Sequence, residues 1–380
     1  MVRFGDCVIE KKITIDARSC GLERYIAGEH MVSEDLHLRR WGIIGEDYLG
    51  PAFHRLFEKG DILYGSRRTY LKKVAVADFD GITANTTFVL REDKEVVVPG
   101  LIPFLMLSDA FTNHSIKNSK GSVNPYINYK DIAKYEFLLP PKDQQAKLAE
   151  LLWAADENEK KQNILSNLLY KVLRVNMKNR FNKLLSSDKK KLMRLGQIGK
   201  WLSGGTPSTK NQRFWNANSI LWVTPKDAKE EIISSTEDNI TEAALEDSSL
   251  RLYEPNSFCV VWRSGILQHS LPIIKVEEPF TTNQDIKTFI PNKDVVSEFI
   301  RVYLILNSED ILQRCVKSGT TVQSIDSMQF YNYLIPMPEK EIQQSVFEEY
   351  NSLYQANKKT KTQVEQIRLI KQALVNQIFN

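Results

Sequence analysis

Long apolar runs, paired cysteines and a strong charge of either sign are all missing from this 380-residue chain. The longest apolar stretches, 101–107 and 302–306, fall far short of the roughly 20 residues a membrane helix needs, and no basic-apolar-small leader opens the sequence. No membrane association is expected. Four cysteines, at 7, 20, 259 and 315, form no Cys-x-x-Cys pair and no even ladder. That excludes a structural zinc site and a disulfide framework and fits a reducing, cytoplasmic location. Net charge is only +4, too little to identify a nucleic-acid binder by charge alone.

Catalytic signatures are missing as well. The histidines at 30, 37, 54, 114 and 269 are scattered, with no HExxH, no zinc-ligand cluster and no GxSxG elsewhere. Gly196, Gly199 and Lys200 lack P-loop spacing, and Lys200 is followed by Trp201. Asn124-Pro125-Tyr126 has some likeness to the NPPY box of adenine methyltransferases, but the second proline is absent and no glycine-rich loop follows a strand to hold a methyl donor. Asp227 and Glu230 have no neighbouring lysine pattern of the kind a metal-dependent nuclease uses, so they read as surface charge. The chain is expected to be no enzyme and to carry no metal.

What is present is a repeat, as a length well beyond the usual 100 to 200 residues per domain invites. Arg3-Phe4-Gly5-Asp6 returns as Arg194-Leu195-Gly196-Gln197. The run from Phe57 to Tyr64 is echoed from Tyr253 to Val260, with Arg67 and Arg263 following. Lys120-Gly121-Ser122 and Ile127 pair with Ser318-Gly319-Thr320 and Ile325, and Phe137 to Pro141 with Tyr333 to Pro338. After each proline cluster a Gln-Gln pair, Gln144-Gln145 or Gln343-Gln344, opens a long segment without Gly or Pro.

Those two segments read as helices with apolar seams. In the first, Leu148, Leu152, Ala155, Leu165, Leu169 and Leu173 are the expected seam, interrupted by the polar stretch 156–163. In the second, the seam is Val346, Tyr350, Leu353, Val364, Ile367, Leu374 and Ile378, with Asn357, Thr360 and Lys371 as polar members. Such seams want a partner helix, although an amphipathic helix lying on its own domain gives a similar pattern. A helix of about 40 residues is about 60 Å long, so the second can pair with the first only by running back. The expected fold is α+β: two pseudo-symmetric globules joined by two long antiparallel helices in a coiled coil. The domains are 1–141, a first globule; 142–185, a central helical region; 186–338, a second globule; and 339–380, a C-terminal helical region.

Charge is balanced in the first globule, 19 basic against 19 acidic side chains, and in surplus only over 142–191, 12 against 6. The run Lys189-Lys190-Lys191 reads as a solvated surface or as a set of phosphate contacts. The densest local motif is Leu195-Gly196-Gln197-Ile198-Gly199, then Ser203-Gly204-Gly205-Thr206-Pro207-Ser208, Phe214-Trp215, and Ile220-Leu221-Trp222-Val223-Thr224-Pro225-Lys226-Asp227. Its paired glycines allow positive φ and close backbone approach, so the loop suits phosphate or base contact, or is a structural turn. Trp215 and Trp222 read as core or interface residues.

In this order of motifs, followed by Gly-Thr-Thr, an apolar-Pro-x-Pro cluster and a Gln-Gln helix, the chain resembles the specificity subunit of type I restriction-modification systems over essentially its whole length. The resemblance implies two target-recognition domains, each reading one half of a split double-stranded DNA site. It implies two modification (methyltransferase) subunits and two restriction (motor-endonuclease) subunits as partners. S-adenosylmethionine, ATP and magnesium would then belong to those partners and no cofactor to this chain. The first half lacks the GGTPS loop, its counterpart being Lys11 to Gly21, so loop contacts carry over to the second domain only. A free-standing two-headed DNA-binding regulator and a coiled-coil scaffold without DNA are the other readings.

Candidate DNA-binding residues follow from the repeat and from the preference of arginine for guanine. In the first domain they are Arg39, Arg40, Arg67, Arg68, Lys72 and Lys73, with Lys120, Ser122 and Asn124 in the Gly-polar loop. In the second they are Thr206, Ser208, Lys210, Lys226, Arg263, Gln268 and His269, with Thr320, Thr321 and Gln323 in the matching loop. Each has an ordinary alternative as a solvated surface group or cap.

Overall fold

The computed structural model describes residues 1–379 apart from 18, 20, 47, 188–190, 249 and 318–321, and for 216–219 the backbone alone. The chain forms two compact units, residues 1–165 with 360–380, and residues 166–359. Each unit holds one globular head and part of each of the two long helices, Lys142–Ser186 and Lys340–Phe379.

The first head is built on two four-stranded sheets. One runs Val8–Lys11, Thr87–Glu92, Ile62–Gly65, Val74–Val76, and the other Gly42–Ile43, Arg24–Ile26, Gly81–Ala84, Phe53–Phe57. The second head repeats the plan with a five-stranded sheet, Gly199–Ser203, Ile286–Pro291, Ser257–Val261, Ile273–Val276, Ile232–Ile233, and a three-stranded one, Asn239–Ile240, Trp215–Val223, Phe280–Thr282. The strands at the heart of each head are apolar on both faces, as Ile62, Leu63 and Tyr64 or Phe258, Cys259, Val260 and Val261 show, because helices and the second sheet cover them. The covering helices Ile102–Leu107 and Ser297–Leu306 correspond to the apolar stretches noted in the sequence; every residue of the first is buried, and in the second all but Ser297, Glu298 and Ile305. Cys7, Cys259 and Cys315 are free and buried, and burial raises all three thiols, those of Cys7 and Cys315 to about 11.

The echoes correspond to equal structural places. Strand Val2–Arg3 pairs with Glu136–Phe137, and Leu192–Arg194 with Leu334–Pro336. Next to each latch a glycine lies close to the opposite chain: Gly5 N donates to Ala133 O at 2.9 Å and Gly196 N to Tyr331 O at 2.9 Å. A Cβ there would stand 2.9 Å from Ala133 Cβ or 3.0 Å from Tyr331 Cβ. The turn before the central strand needs a left-handed residue, supplied by Gly60 (φ 91°) in one head and Asn256 (φ 63°) in the other.

One register is corrected. Gln145 Oε1 accepts from Val98 N at 2.8 Å and its Nε2 donates to Pro140 O at 2.7 Å; Gln343 makes the same pair with Val296 N at 2.8 Å and Pro338 O at 2.8 Å. Gln145 is therefore the counterpart of Gln343, not of Gln344. The second glutamine of one pair matches the first of the other.

The long helices pack on each other antiparallel. In the first unit Asp156 and Glu159 meet Lys371 and Arg368; in the second Ser166 meets Asn357, and Arg180 Nε lies 3.7 Å from Glu349 Oε2. The seam of the second helix buries Val346, Tyr350, Val364 and the polar Asn357, Thr360 and Lys371, as its spacing predicts; Leu353, Ile367, Leu374 and Ile378 are only half-buried, and past Lys371 it is Val375 and Phe379 that are buried. The expected seam of the first helix holds at Leu152 and Leu173, which are buried, and misses the polar positions between them. Its buried positions are Gln145, Ala149, Leu152, Asp156, Glu159, Ser166, Leu173, Met177 and Phe181, while Leu165 is exposed. The polar stretch is no interruption: Asp156 and Glu159 are buried in it, with Lys371 and Arg368 of the other helix neutralising their charge.

Candidate nucleic-acid interface

In each head the central strand runs out into a basic residue whose backbone is clamped on both sides. In the second head Trp262 N and Arg263 N both donate to Asp285 O, at 2.7 and 3.1 Å, Ser264 N donates to Gln323 O at 3.0 Å, and Ile325 N to Trp262 O at 2.9 Å. In the first head Ser66 N donates to Thr86 O at 2.9 Å, Arg68 N to Pro125 O at 2.7 Å and Ile127 N to Ser66 O at 2.9 Å. Arg67 and Arg263 thus hold the same position, each bridged to the Gly-polar loop, Arg67 to Tyr126 and Arg263 to Ser324. Both side chains are exposed and neither forms an ion pair among the described residues. A 3-10 turn follows each, Thr69–Leu71 and Gly265–Gln268.

Beside Arg263 lies an open cleft of about 620 Å³ lined by Trp222, Thr224, Lys226, Asp238, Asn283 and Asp285 among others. Lys226 is held at its edge by the turn Pro225–Asp227. The Asp227 carboxylate accepts from Thr224 N and Thr224 Oγ1, both at 2.8 Å, and from Glu237 N at 2.8 Å. Asp227 is buried, so its reading as surface charge is corrected: it is a cap that fixes the lysine before it. Thr206 joins the same neighbourhood through a 2.8 Å hydrogen bond from Oγ1 to Gln284 Oε1.

The Ser203–Ser208 loop owes its glycines to its own fold. Neither Gly204 nor Gly205 has a positive φ; a Cβ on Gly204 would stand 1.7 Å from Thr282 O. Two indoles hold the loop from beneath, Trp222 Nε1 donating to Gly205 O at 3.0 Å and Trp215 Nε1 to Ser208 O at 3.1 Å, with the two rings edge to face at 5.0 Å. That clamp leaves Thr206, Ser208 and Lys210 exposed.

The remaining candidates divide by what they already touch. Arg68 is exposed next to Arg67, with Lys120 and Ser122 exposed on the adjoining loop; Lys120 Nζ lies 3.9 Å from Asp131 Oδ2, and Asn124 Oδ1 is buried without a partner among the described residues. Gln268 and His269 are exposed at the far end of their 3-10 turn, and Gln323 is half-buried behind it. Arg39 is paired with Asp35, and Arg40 donates to Glu29 O at 3.1 Å; both line a separate cleft with Glu29, His30 and Trp41. Lys73 Nζ is bound to Gly28 O, and Lys72 to Asp109 and Glu34. Thr320 and Thr321 lie outside the described residues.

Three features escaped the sequence. Arg24 stacks over Trp41 at 4.5 Å, and Lys287 over Trp262 at 4.2 Å. His37 Nε2, on the loop that carries Arg39 and Arg40, lies 2.8 Å from Asp156 Oδ2. Burial alone would raise the Asp156 carboxyl, but the hydrogen bonds from His37 and Lys371 outweigh it and hold the group below its ordinary value. Burial likewise opposes the charge on Lys371, and Asp156 and Glu159 more than offset it. None of these contacts has a local sequence signal.

Among the described residues no group of three or more His, Cys, Asp or Glu side chains is placed to hold a metal ion, and no helix is long and apolar enough to cross a membrane. Comparison with known proteins bears on what the surface does. A family described as "Type I restriction modification DNA specificity domain" matches residues 25–169 and 187–368. The chain is 41% identical over 154 residues to the EcoR124I/EcoR124II specificity subunit of Escherichia coli, a match covering 40% of this chain and 38% of that protein. It is 31% identical over 188 residues to the MjaIX specificity subunit of Methanocaldococcus jannaschii, covering 48% and 42%. These matches span about two fifths of each relative's length. Among solved structures, the S subunit of a type I restriction-modification system from M. genitalium superposes with a TM-score of 0.62 at 14% identity, over 100% of this chain and 95% of that one.

Proposed function

Because this chain belongs to the type I restriction-modification DNA specificity family, we propose that it is the non-catalytic subunit that chooses a DNA sequence for such a complex. Each head reads one half of a bipartite, asymmetric site. The observation that carries the reading is the shared place of Arg67 and Arg263: exposed, free of ion pairs among the described residues, and fixed by the same backbone clamp in two heads whose surrounding side chains differ. A rigid backbone with a free guanidinium at its tip suits bidentate contact to a base edge, and differing neighbours give each head its own sequence.

Partner subunits supply the chemistry in this reading. The C-terminal half of each long helix presents an apolar side chain to solvent at the same repeat place, Val172 in one unit and Ile370 in the other, with Leu168 and Val175 exposed beside the first and Leu369 beside the second. Two equivalent exposed places suit two copies of one docking partner, a modification subunit, and S-adenosylmethionine, ATP and magnesium would be held by the modification and restriction subunits.

The test is half-site resolved. In the complex with its modification subunits, Arg67→Ala should relax one half-site and Arg263→Ala the other, each costing about 1–3 kcal/mol at one base position. Binding to randomised duplexes followed by sequencing reads the outcome; unchanged preference at both half-sites would refute the assignment.

A further inference from the structure

Four described residues other than glycine have left-handed backbone, and three of them sit together at the basic turn of the first head: Glu34 (φ 59°), Arg68 (φ 50°) and Lys72 (φ 46°). Arg68 and Lys72 flank the 3-10 turn Thr69–Leu71, and Glu34 N donates to Lys72 O at 3.1 Å. A residue with a Cβ resists this conformation, so surrounding contacts must impose it. Lys72 makes those contacts. Its Nζ lies 2.6 Å from Asp109 Oδ1 and 3.4 Å from Glu34 Oε1, and its side chain is only 12% exposed.

Asp109 is bound in turn by the second long helix. Asn376 Nδ2 donates to Asp109 Oδ2 at 2.7 Å, Gln372 Nε2 to Asp109 Oδ1 at 3.3 Å, and Asp109 N to Asn376 Oδ1 at 2.9 Å. The matching turn of the second head is built without strain. It opens with Gly265 and is flanked by Ser264 (φ −174°) and His269 (φ −125°), and Gln268, at the place of Lys72, has no such tie among the described residues.

We propose that Lys72 is a positioning residue and not a DNA contact: it holds the strained turn that aims Arg67 and Arg68, and ties that turn through Asp109 to Gln372 and Asn376 of the second long helix. Readout by the first head then depends on the state of that helix at Asn376. The inference rests on the DNA-reading function above.

The experiment uses the full chain with its modification subunits and a pool of randomised DNA duplexes, comparing wild type with Lys72→Met, Lys72→Arg and Asn376→Leu, and measuring affinity against salt concentration. Lys72→Met and Asn376→Leu should each blunt discrimination by roughly tenfold at the half-site that Arg67→Ala relaxes. The other half-site and the salt slope should stay as they are. Lys72→Arg, which can still pair with Asp109, should keep wild-type discrimination. Uniform weakening in Lys72→Met with the salt slope reduced by about 0.9 would make Lys72 a phosphate contact and overturn the proposal. Unchanged preference in Asn376→Leu, a half-buried helix position whose variant is checked by an unaltered melting temperature, would overturn the tie to the helix. A wild-type complex that selects no sequence would instead refute the DNA-reading function, and this inference with it.

Discussion

The seam between the long helices buries an ion cluster in one unit and, in the other, apolar side chains around an uncharged polar pair, Ser166 and Asn357. At the repeat offset of 198, Asp156 corresponds to Tyr354 and Glu159 to Asn357, while Lys371 corresponds to Leu173 and Arg368 to Tyr170. The first unit therefore buries Asp156, Glu159 and Lys371, with Lys371 Nζ at 2.6 Å from Asp156 Oδ1 and 2.7 Å from Glu159 Oε2. The second unit buries Leu173, Met177, Phe181 and Tyr350 along the same kind of seam. Equal backbone plans thus carry different chemistry. The charged end costs desolvation and fixes register through three ionised groups, whereas the other end draws more on apolar burial and fixes register through the Ser166–Asn357 pair.

Removing one side chain from the charged end should therefore have the largest effect. Lys371→Ala leaves two buried carboxylates without their shared cation, and the first unit should lose about 3–5 kcal/mol. Chemical denaturation would read the loss, and hydrogen exchange would place it in residues 142–165 and 360–379. Replacing the set by Asp156→Leu, Glu159→Leu and Lys371→Met should recover it, to within neutrality or a gain of about 1–4 kcal/mol. A recovery that came with mixed helix registers would show what the charges are for.

The same cluster gives the first unit a pH dependence at both the acid and the alkaline end, whereas in the second seam it is burial of the Tyr350 phenol that raises a titrating group. The Asp156 carboxyl is held below its ordinary 3.8, so its contribution is fully present above 3.8 and is lost as pH falls through the lower folded value. Lys371 is raised above 10.5, so its contribution is fully present below 10.5 and is lost as pH rises through the higher folded value. Stability from this pair should be flat between those limits. In Lys371→Met the acid loss should begin at a higher pH, because Asp156 keeps only His37 as a partner; hydrogen exchange along an acid titration measures the shift.

The glycine pair of the second head separates close approach from conformational need. Gly204→Ala sets a Cβ against the Thr282 carbonyl and should destabilise that head by about 1–3 kcal/mol, with loss of the loop that presents Thr206 and Ser208. Gly205→Ala meets only Leu250 Cδ2 at 3.4 Å and should be near neutral. Thermal denaturation of the two variants, side by side, tests the difference.

How much of this was legible in the sequence depended on whether the signal was local. The repeat, the two long helices and the basic residue after each central strand stand in short motifs, because a turn glycine such as Gly60 or a proline before a helix is required by its immediate neighbours. The polar middle of the first helix's seam was not legible, although Leu152 and Leu173 at its two ends were. Leu165 and Leu169 suggested an apolar stripe, but Leu165 is exposed, and the seam runs through Asp156, Glu159 and Ser166, whose partners lie about 200 residues away in Lys371, Arg368 and Asn357. Lys72 failed to declare itself for the same reason. As a lysine close to Arg67 and Arg68 it reads as a DNA contact like them, and only Asp109, brought up by the fold, shows that its charge is already paired. Asp227 was misjudged because a cap and a solvated carboxylate look alike until the turn around them is seen.

The smallest contrast lies in the turn before the central strand of each head, where Gly60 and Asn256 share one conformation. Gly60 N donates to Ala77 O at 2.8 Å and Asn256 N to Val276 O at 2.7 Å, so the backbone demand is the same and only the residue differs. Asparagine tolerates left-handed φ better than alanine because its short amide can bond locally, and glycine tolerates it at no steric cost. A Cβ on Gly60 would meet open space, so Gly60→Ala should cost only the conformational penalty of about 1–2 kcal/mol. Gly60→Asn should cost less, and Asn256→Gly should lie within about 0.5 kcal/mol of wild type, loss of the side chain's local bonding being set against relief of strain. Urea denaturation of the three variants orders them. If Gly60→Asn proved as costly as Gly60→Ala, the two turns would differ in more than the residue that fills them, and their equivalence would have to be sought in the strands they precede.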